Sequence, residues 1–196
     1  MKKLNEKYGI IEEDFISAEI ELVPAAKARD IGFDRSLVGA YGQDDRVCAY
    51  ASLISILDIA EENVAPSKTV ICYLADKEEI GSNGATGLES KYIEYFMSDM
   101  VVKRRESGTD HIMRKSFWNS SAISADVNAC MDPMFKGVHD EQNAGRCGYG
   151  IILTKFTGHG GKYGSNDADA EFVAEIREIF NKNKIIWQAA ELGKLS

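Results

Sequence analysis

The chain has 196 residues, with 23 Lys plus Arg against 31 Asp plus Glu for a formal charge of −8, and 44% hydrophobic and 28% charged residues. That size suits one domain, or one with a small appendage, and the composition is globular rather than disordered or fibrous. An acidic chain whose only basic cluster is Lys103-Arg104-Arg105 argues against nucleic acid as a partner, and apolar runs as short as 71–75 and 150–153 fall far below the roughly 20 residues that cross a bilayer.

Residues 1–7 start basic but lead into no apolar stretch, so a secretory signal is not expected and the expected compartment is the cytoplasm. Residues 18–23 (Ala-Glu-Ile-Glu-Leu-Val) alternate apolar and acidic side chains, the pattern of a half-buried strand ended by Pro24. Residues 25–42 read as connection, punctuated by Gly32, Gly39 and Gly42. After Asp44-Asp45, the residues Val47, Tyr50, Ala51, Ile54 and Leu57 recur at helical spacing, which puts two carboxylates at a helix N-terminus. The run 69–74 is apolar and β-rich, as expected of an interior strand, and it delivers Asp76-Lys77-Glu78-Glu79 at its end. A glycine-rich loop over 81–87 precedes a helix at about 88–101. Residues 123–126 read as a strand tip ending on Asp126, and 149–154 as another apolar strand. The loop 158–164 is again rich in glycine. A helix follows over 167–181 with Phe172, Val173, Ile176, Ile179 and Phe180 on one face and Asn166 as N-cap, and 185–190 closes as a strand. Cys48, Cys72, Cys130 and Cys147 form no C-x-x-C pair and are expected to be reduced, buried and inert.

Strands alternating with helices predict an α/β domain with a largely parallel sheet, whose ligands bind beyond the carboxyl ends of the strands. Asp44, Asp45, Glu78, Glu79 and Asp126 all fall at that edge. Carboxylates that converge repel one another unless a cation neutralises them, so the set points to metal. Adjacent glutamates can divide the work, one binding the ion and the other serving as general base. An EF-hand over 76–87 fails because Ile80 and Gly87 stand where oxygen ligands belong. The 158–164 loop matches neither phosphate-binding glycine motif.

Gly42-Gln43-Asp44-Asp45-Arg46, Asp76-Lys77-Glu78-Glu79-Ile80-Gly81-Ser82 and Ser124-Ala125-Asp126, in this order, resemble the metal-site motifs of the aspartyl aminopeptidase family, dinuclear zinc exopeptidases, and look closest to its clostridial-type bacterial members. The resemblance implies a three-layer α/β sandwich with a largely parallel central sheet, incomplete here at both ends. It assigns Asp44 as the aspartate bridging two zinc ions, Glu79 and Asp126 as terminal ligands and Glu78 as general base. Lys155 and Tyr163 fall where the family contacts its peptide substrate. It further implies that residues 1–30 are a remnant of an inserted dimerisation domain with its connection, that 31–196 are part of the catalytic domain, and that the protein self-associates. Two family histidines, one in a His-x-Asp motif and one beyond a glycine-rich stretch, have no counterpart in this sequence, and Ala129 and Asp132 stand where many members carry histidine. The activity implied is hydrolysis of N-terminal residues from peptides through a water shared by two zinc ions. The alternatives are a fold core without turnover and an acidic interaction module.

Overall fold

The computed structural model describes residues 1–62, 64–104, 107–155 and 168–191, which fall into two compact units, Met1–Arg46 and Val47–Ser196. In the first unit, helix α1 (Lys2–Tyr8) stops at Gly9, whose φ of 73° lets its N–H turn back to the Asn5 carbonyl. A 3₁₀ turn (Glu12–Ile16) follows. Strands β1 (Arg29–Ile31) and β2 (Leu37–Gly39) then pair as an antiparallel hairpin, Arg29 opposite Gly39 and Ile31 opposite Leu37. The expected strand at 18–23 does not form, and Leu22 is 96% exposed. Alternation makes a strand only where a second strand accepts its hydrogen bonds. The hairpin lies instead within 25–42, which the sequence presented as connection. Gly32 and Arg35 take positive φ in its turn, and Asp34 Oδ1 accepts the Ser36 N–H at 3.2 Å.

Helix α2 (Gln43–Glu61) carries the chain into the second unit and is regular only beyond Asp45. The expected helix is present, but of its expected apolar stripe Ile54 is half-buried while most of the rest is not covered. Val47, Tyr50 and Leu57 are exposed, whereas Cys48, Ser52, Ile56 and Ile59 are half-buried. Ile56, Ile59 and Ala60 form a shallow apolar recess with Val64, Pro66 and Val70. Residues 69–74 and 123–126 form no ladder in place of the two strands expected there. In the first of these, Cys72 and Tyr73 are half-buried, and the Tyr73 ring stacks on Tyr92 at 6.3 Å. Helices α3 (Tyr92–Lys103) and α4 (Thr109–Trp118) pack on one another, and the second had no counterpart in the sequence pattern.

Strand β3 (Ile151–Leu153), helix α5 (Ala170–Lys182) and strand β4 (Trp187–Ala189) make a β-α-β unit with β3 and β4 parallel, Ile151 opposite Trp187 and Leu153 opposite Ala189. Helix α5 turns Phe172, Val173, Ile176 and Phe180 to its covered face, as the spacing predicts, but leaves Ile179 exposed. Its N-cap is Asp169, which accepts the Phe172 N–H at 2.9 Å; Asn166, the expected cap, lies outside the described residues. The architecture is α/β, with the described strands in two separate two-stranded sheets. Among the described residues only Val101, Ala144 and Ala190 are buried apolar side chains. No helix is long and apolar enough to cross a membrane among the described residues.

Two glycines before β3 separate conformation from space. Gly150 has φ +87° and a Cβ there would lie 2.1 Å from the Ile186 carbonyl oxygen, while Gly148 has φ +81° and nothing within 4 Å. Gly148→Ala is expected to lose about 1 kcal/mol to backbone strain alone and Gly150→Ala about 3 kcal/mol as the close approach is added. Urea unfolding at unchanged m measures both, and equal losses would contradict the close approach.

Candidate metal centre

Asp44 and Asp45 sit where β2 turns into α2. Gly42, with φ +75°, makes that turn, and its Cα faces the Arg46 guanidinium so closely that a Cβ would lie 3.1 Å from it. The Gln43 side-chain amide donates to the Val38 carbonyl, and Arg46 lies over the Tyr41 ring at 5.6 Å. These contacts fix both ends of the dipeptide, whose peptide bond is cis. Asp44 is exposed and Asp45 half-buried. Asp45 Oδ1 is shielded from solvent and has no hydrogen-bond partner among the described residues, the condition in which a carboxylate gains most from a cation.

Glu78 and Glu79 occupy a 3₁₀ turn (Glu78–Ile80). Lys77 precedes it with φ 65° and Gly81 ends it with φ 93°, donating its N–H to the Glu78 carbonyl. Ser82 N–H returns to the Lys77 carbonyl at 2.8 Å. In a 3₁₀ turn successive side chains diverge by about 120°, which gives two neighbouring glutamates distinct directions. The loop closes at its far end, where Asp76 bridges Gly87 and accepts the Thr86 hydroxyl at 2.9 Å. Gly87 is buried there, and a Cβ on it would lie 2.0 Å from the Ser82 carbonyl oxygen.

Asp126 is exposed and accepts its neighbour Val127's N–H at 2.7 Å. Its segment is tied down just beyond. Asn128 Nδ2 donates to Thr154 Oγ1 at 3.3 Å, and the Met131 N–H donates to the Gly145 carbonyl at 3.1 Å. Lys155 follows β3 and Thr154, is exposed, and accepts the Ala168 N–H on its carbonyl at 3.0 Å. Tyr163 and the whole 158–164 loop lie outside the described residues. The cysteines depart from expectation: Cys48 and Cys72 are half-buried, but Cys130 and Cys147 are exposed because both lie on loops rather than on a packed face.

The Thr86 hydroxyl, then the Lys77 backbone N–H and the Lys77 charge, hold the Asp76 carboxyl below the ordinary carboxylate range. A lowered native pKa stabilises the fold above the ordinary aspartate pKa, and that contribution fades as pH falls through the lowered value. In Thr86→Val the Asp76 pKa is expected to rise toward the ordinary value, followed by NMR titration of the side-chain carboxyl carbon. An unmoved pKa would remove the hydroxyl as the cause.

The family model "Aminopeptidase I zinc metalloprotease (M18)" matches residues 1–196. The chain is 57% identical over 196 residues to the probable M18 family aminopeptidase 1 of Borrelia garinii, covering all of this chain and 42% of the relative. It is 49% identical over 195 residues to the probable M18 family aminopeptidase 1 of Clostridium acetobutylicum, covering 41% of that relative. The crystal structure of the M18 family aminopeptidase from Thermotoga maritima superposes with a TM-score of 0.88 at 46% identity, over all of this chain and 42% of that one. The chain therefore spans about two-fifths of the length of these relatives.

Proposed function

Since the chain belongs to the aminopeptidase I zinc metalloprotease (M18) family, we propose that it carries the carboxylate share of the catalytic centre of a zinc-dependent aminopeptidase that releases N-terminal residues from peptides. The observation that carries this is the family match along residues 1–196, joined to three carboxylate motifs in the family's order at Asp44, Glu78-Glu79 and Asp126. The donor chemistry fits a divalent cation: the ligands are carboxylates, and Asp45 adds a shielded oxygen with no partner among the described residues. Zinc sites built with carboxylates usually include histidine as well, so this chain supplies the oxygen donors of the set.

In this reading Asp44 would be the ligand shared by two zinc ions, with Glu79 and Asp126 as the terminal ligands that would hold one each. Bound zinc polarises the scissile carbonyl and makes water acidic near neutral pH. Glu78 takes the proton of the attacking water and returns it to the leaving amine. Lys155 and Tyr163 contact the peptide substrate. The β3–α5–β4 unit belongs to a three-layer sandwich with a largely parallel sheet, for which the parallel register of Ile151 with Trp187 is the support. Residues 1–30 are a remnant of an inserted dimerisation domain with its connection, residues 31–196 are part of the catalytic domain, and the protein works as a cytoplasmic homo-oligomer.

Zinc content by elemental analysis and hydrolysis of aminoacyl chromogenic substrates test this on the purified chain. Asp44→Ala, Glu79→Ala and Asp126→Ala are expected to lower bound zinc and activity together. Glu78→Gln is expected to keep the zinc and lower kcat by about 10²-fold or more. Unchanged zinc in the ligand variants, or a wild-type chain that neither binds zinc nor hydrolyses the substrates, would overturn the assignment.

A further inference from the structure

We propose that Cys130 and Cys147 form a redox-active dithiol, which low-molecular-weight disulfides oxidise to an intramolecular disulfide clipping the segment after Asp126 to the loop before β3. The two residues lie far apart in sequence, yet the fold brings their backbones together. Cys130 bridges Gly145 in parallel, and the Met131 N–H donates to the Gly145 carbonyl at 3.1 Å. Gly145 is buried, and a Cβ on it would lie 2.3 Å from Ile152 Cδ1, so the bridge is held close against β3. On the other side, Gln188 of β4 grips the residue before Cys147. Its Oε1 accepts the Arg146 N–H at 2.9 Å, and its Nε2 donates to the Arg146 carbonyl at 2.9 Å. Both cysteines are exposed, and Cys147 lies two residues beyond Gly145, the residue that Cys130 bridges. Two thiols on segments that the backbone bridge holds side by side are within the reach that forming a disulfide requires.

Partial burial of the Cys130 sulfur, with the Cys147 thiol and Asp132 nearby, raises the Cys130 pKa, which makes Cys130 the slower of the two to attack first. Cys147 makes the opening attack, as the thiolate that is the nucleophilic form of a cysteine. Its thiolate attacks one sulfur of the small disulfide and expels one small thiolate, leaving a mixed disulfide. The Cys130 thiolate then attacks the Cys147 sulfur and expels the second. Two protein thiols and one small disulfide become one protein disulfide and two small thiols. The protein loses two electrons to the small disulfide, and the two thiol protons pass to the released thiolates.

The full chain is incubated with oxidised glutathione, its remaining thiols are alkylated, and it is digested with trypsin without reductant. The expected product joins peptide 116–136, which contains Cys130, to peptide 147–155, which contains Cys147, with Cys48 and Cys72 recovered alkylated. Cys130→Ser and Cys147→Ser are each expected to stop at a glutathione adduct on the remaining cysteine. Alkylation of both Cys130 and Cys147 in the wild type would overturn the proposal. So would separate adducts on the two, or their linkage to Cys48 or Cys72.

Discussion

Parallel strands cannot be joined by a tight turn; the chain must cross over between them, and right-handed crossover through a helix is the usual solution. In the second unit β3, α5 and β4 meet this constraint, and much of what surrounds them among the described residues hangs from that strand pair. Gln188 of β4 holds both backbone groups of Arg146, at about 1 kcal/mol for each bond. Gly150 passes against the Ile186 carbonyl without a side chain to obstruct it. Thr154, one residue past β3, ties down Asn128 and so the segment that begins at Asp126. Lys155 is the next residue. Two of the candidate site residues are thus placed by a single strand end, the edge at which open α/β sheets bind their ligands.

The apolar pattern of the chain exceeds the burial it achieves. Helix α2 covers Ile56 and Ile59 while leaving Tyr50 and Leu57 in solvent, so it is apolar on more than one face. Such helices belong to the interior of a larger assembly of layers. The run 69–74 tells the same story, with Val70, Ile71 and Leu74 exposed where a strand covered on both faces would hide them. The relatives it matches are more than twice as long as this chain.

What the sequence made legible follows from how local each signal is. Helix α5 was readable because its apolar residues repeat at helical spacing, and β3 and β4 because short apolar runs flank it. The hairpin of β1 and β2 was hidden, since Leu37 and Val38 are too few to show a period and the glycines around them signal connection. Residues 18–23 erred in the other direction: alternation states a preference, but a strand exists only when a neighbour completes its hydrogen bonds. The family was legible because its carboxylate motifs stand in order along the sequence, and its model matches residues 1–196. The bridge between Cys130 and Gly145 was not, because pairing between distant loops leaves no periodic trace.

The central claim is that Asp44, Glu79 and Asp126 grip the same pair of ions while Glu78 faces them. Crystals of the chain grown with zinc, with diffraction recorded above and below the zinc absorption edge, test it directly. Two anomalous peaks are expected, roughly 3.5–4 Å apart, with an Asp44 oxygen between them and one of the other two carboxylates on each. Peaks on other side chains, or these carboxylates bare of metal at saturating zinc, would contradict it.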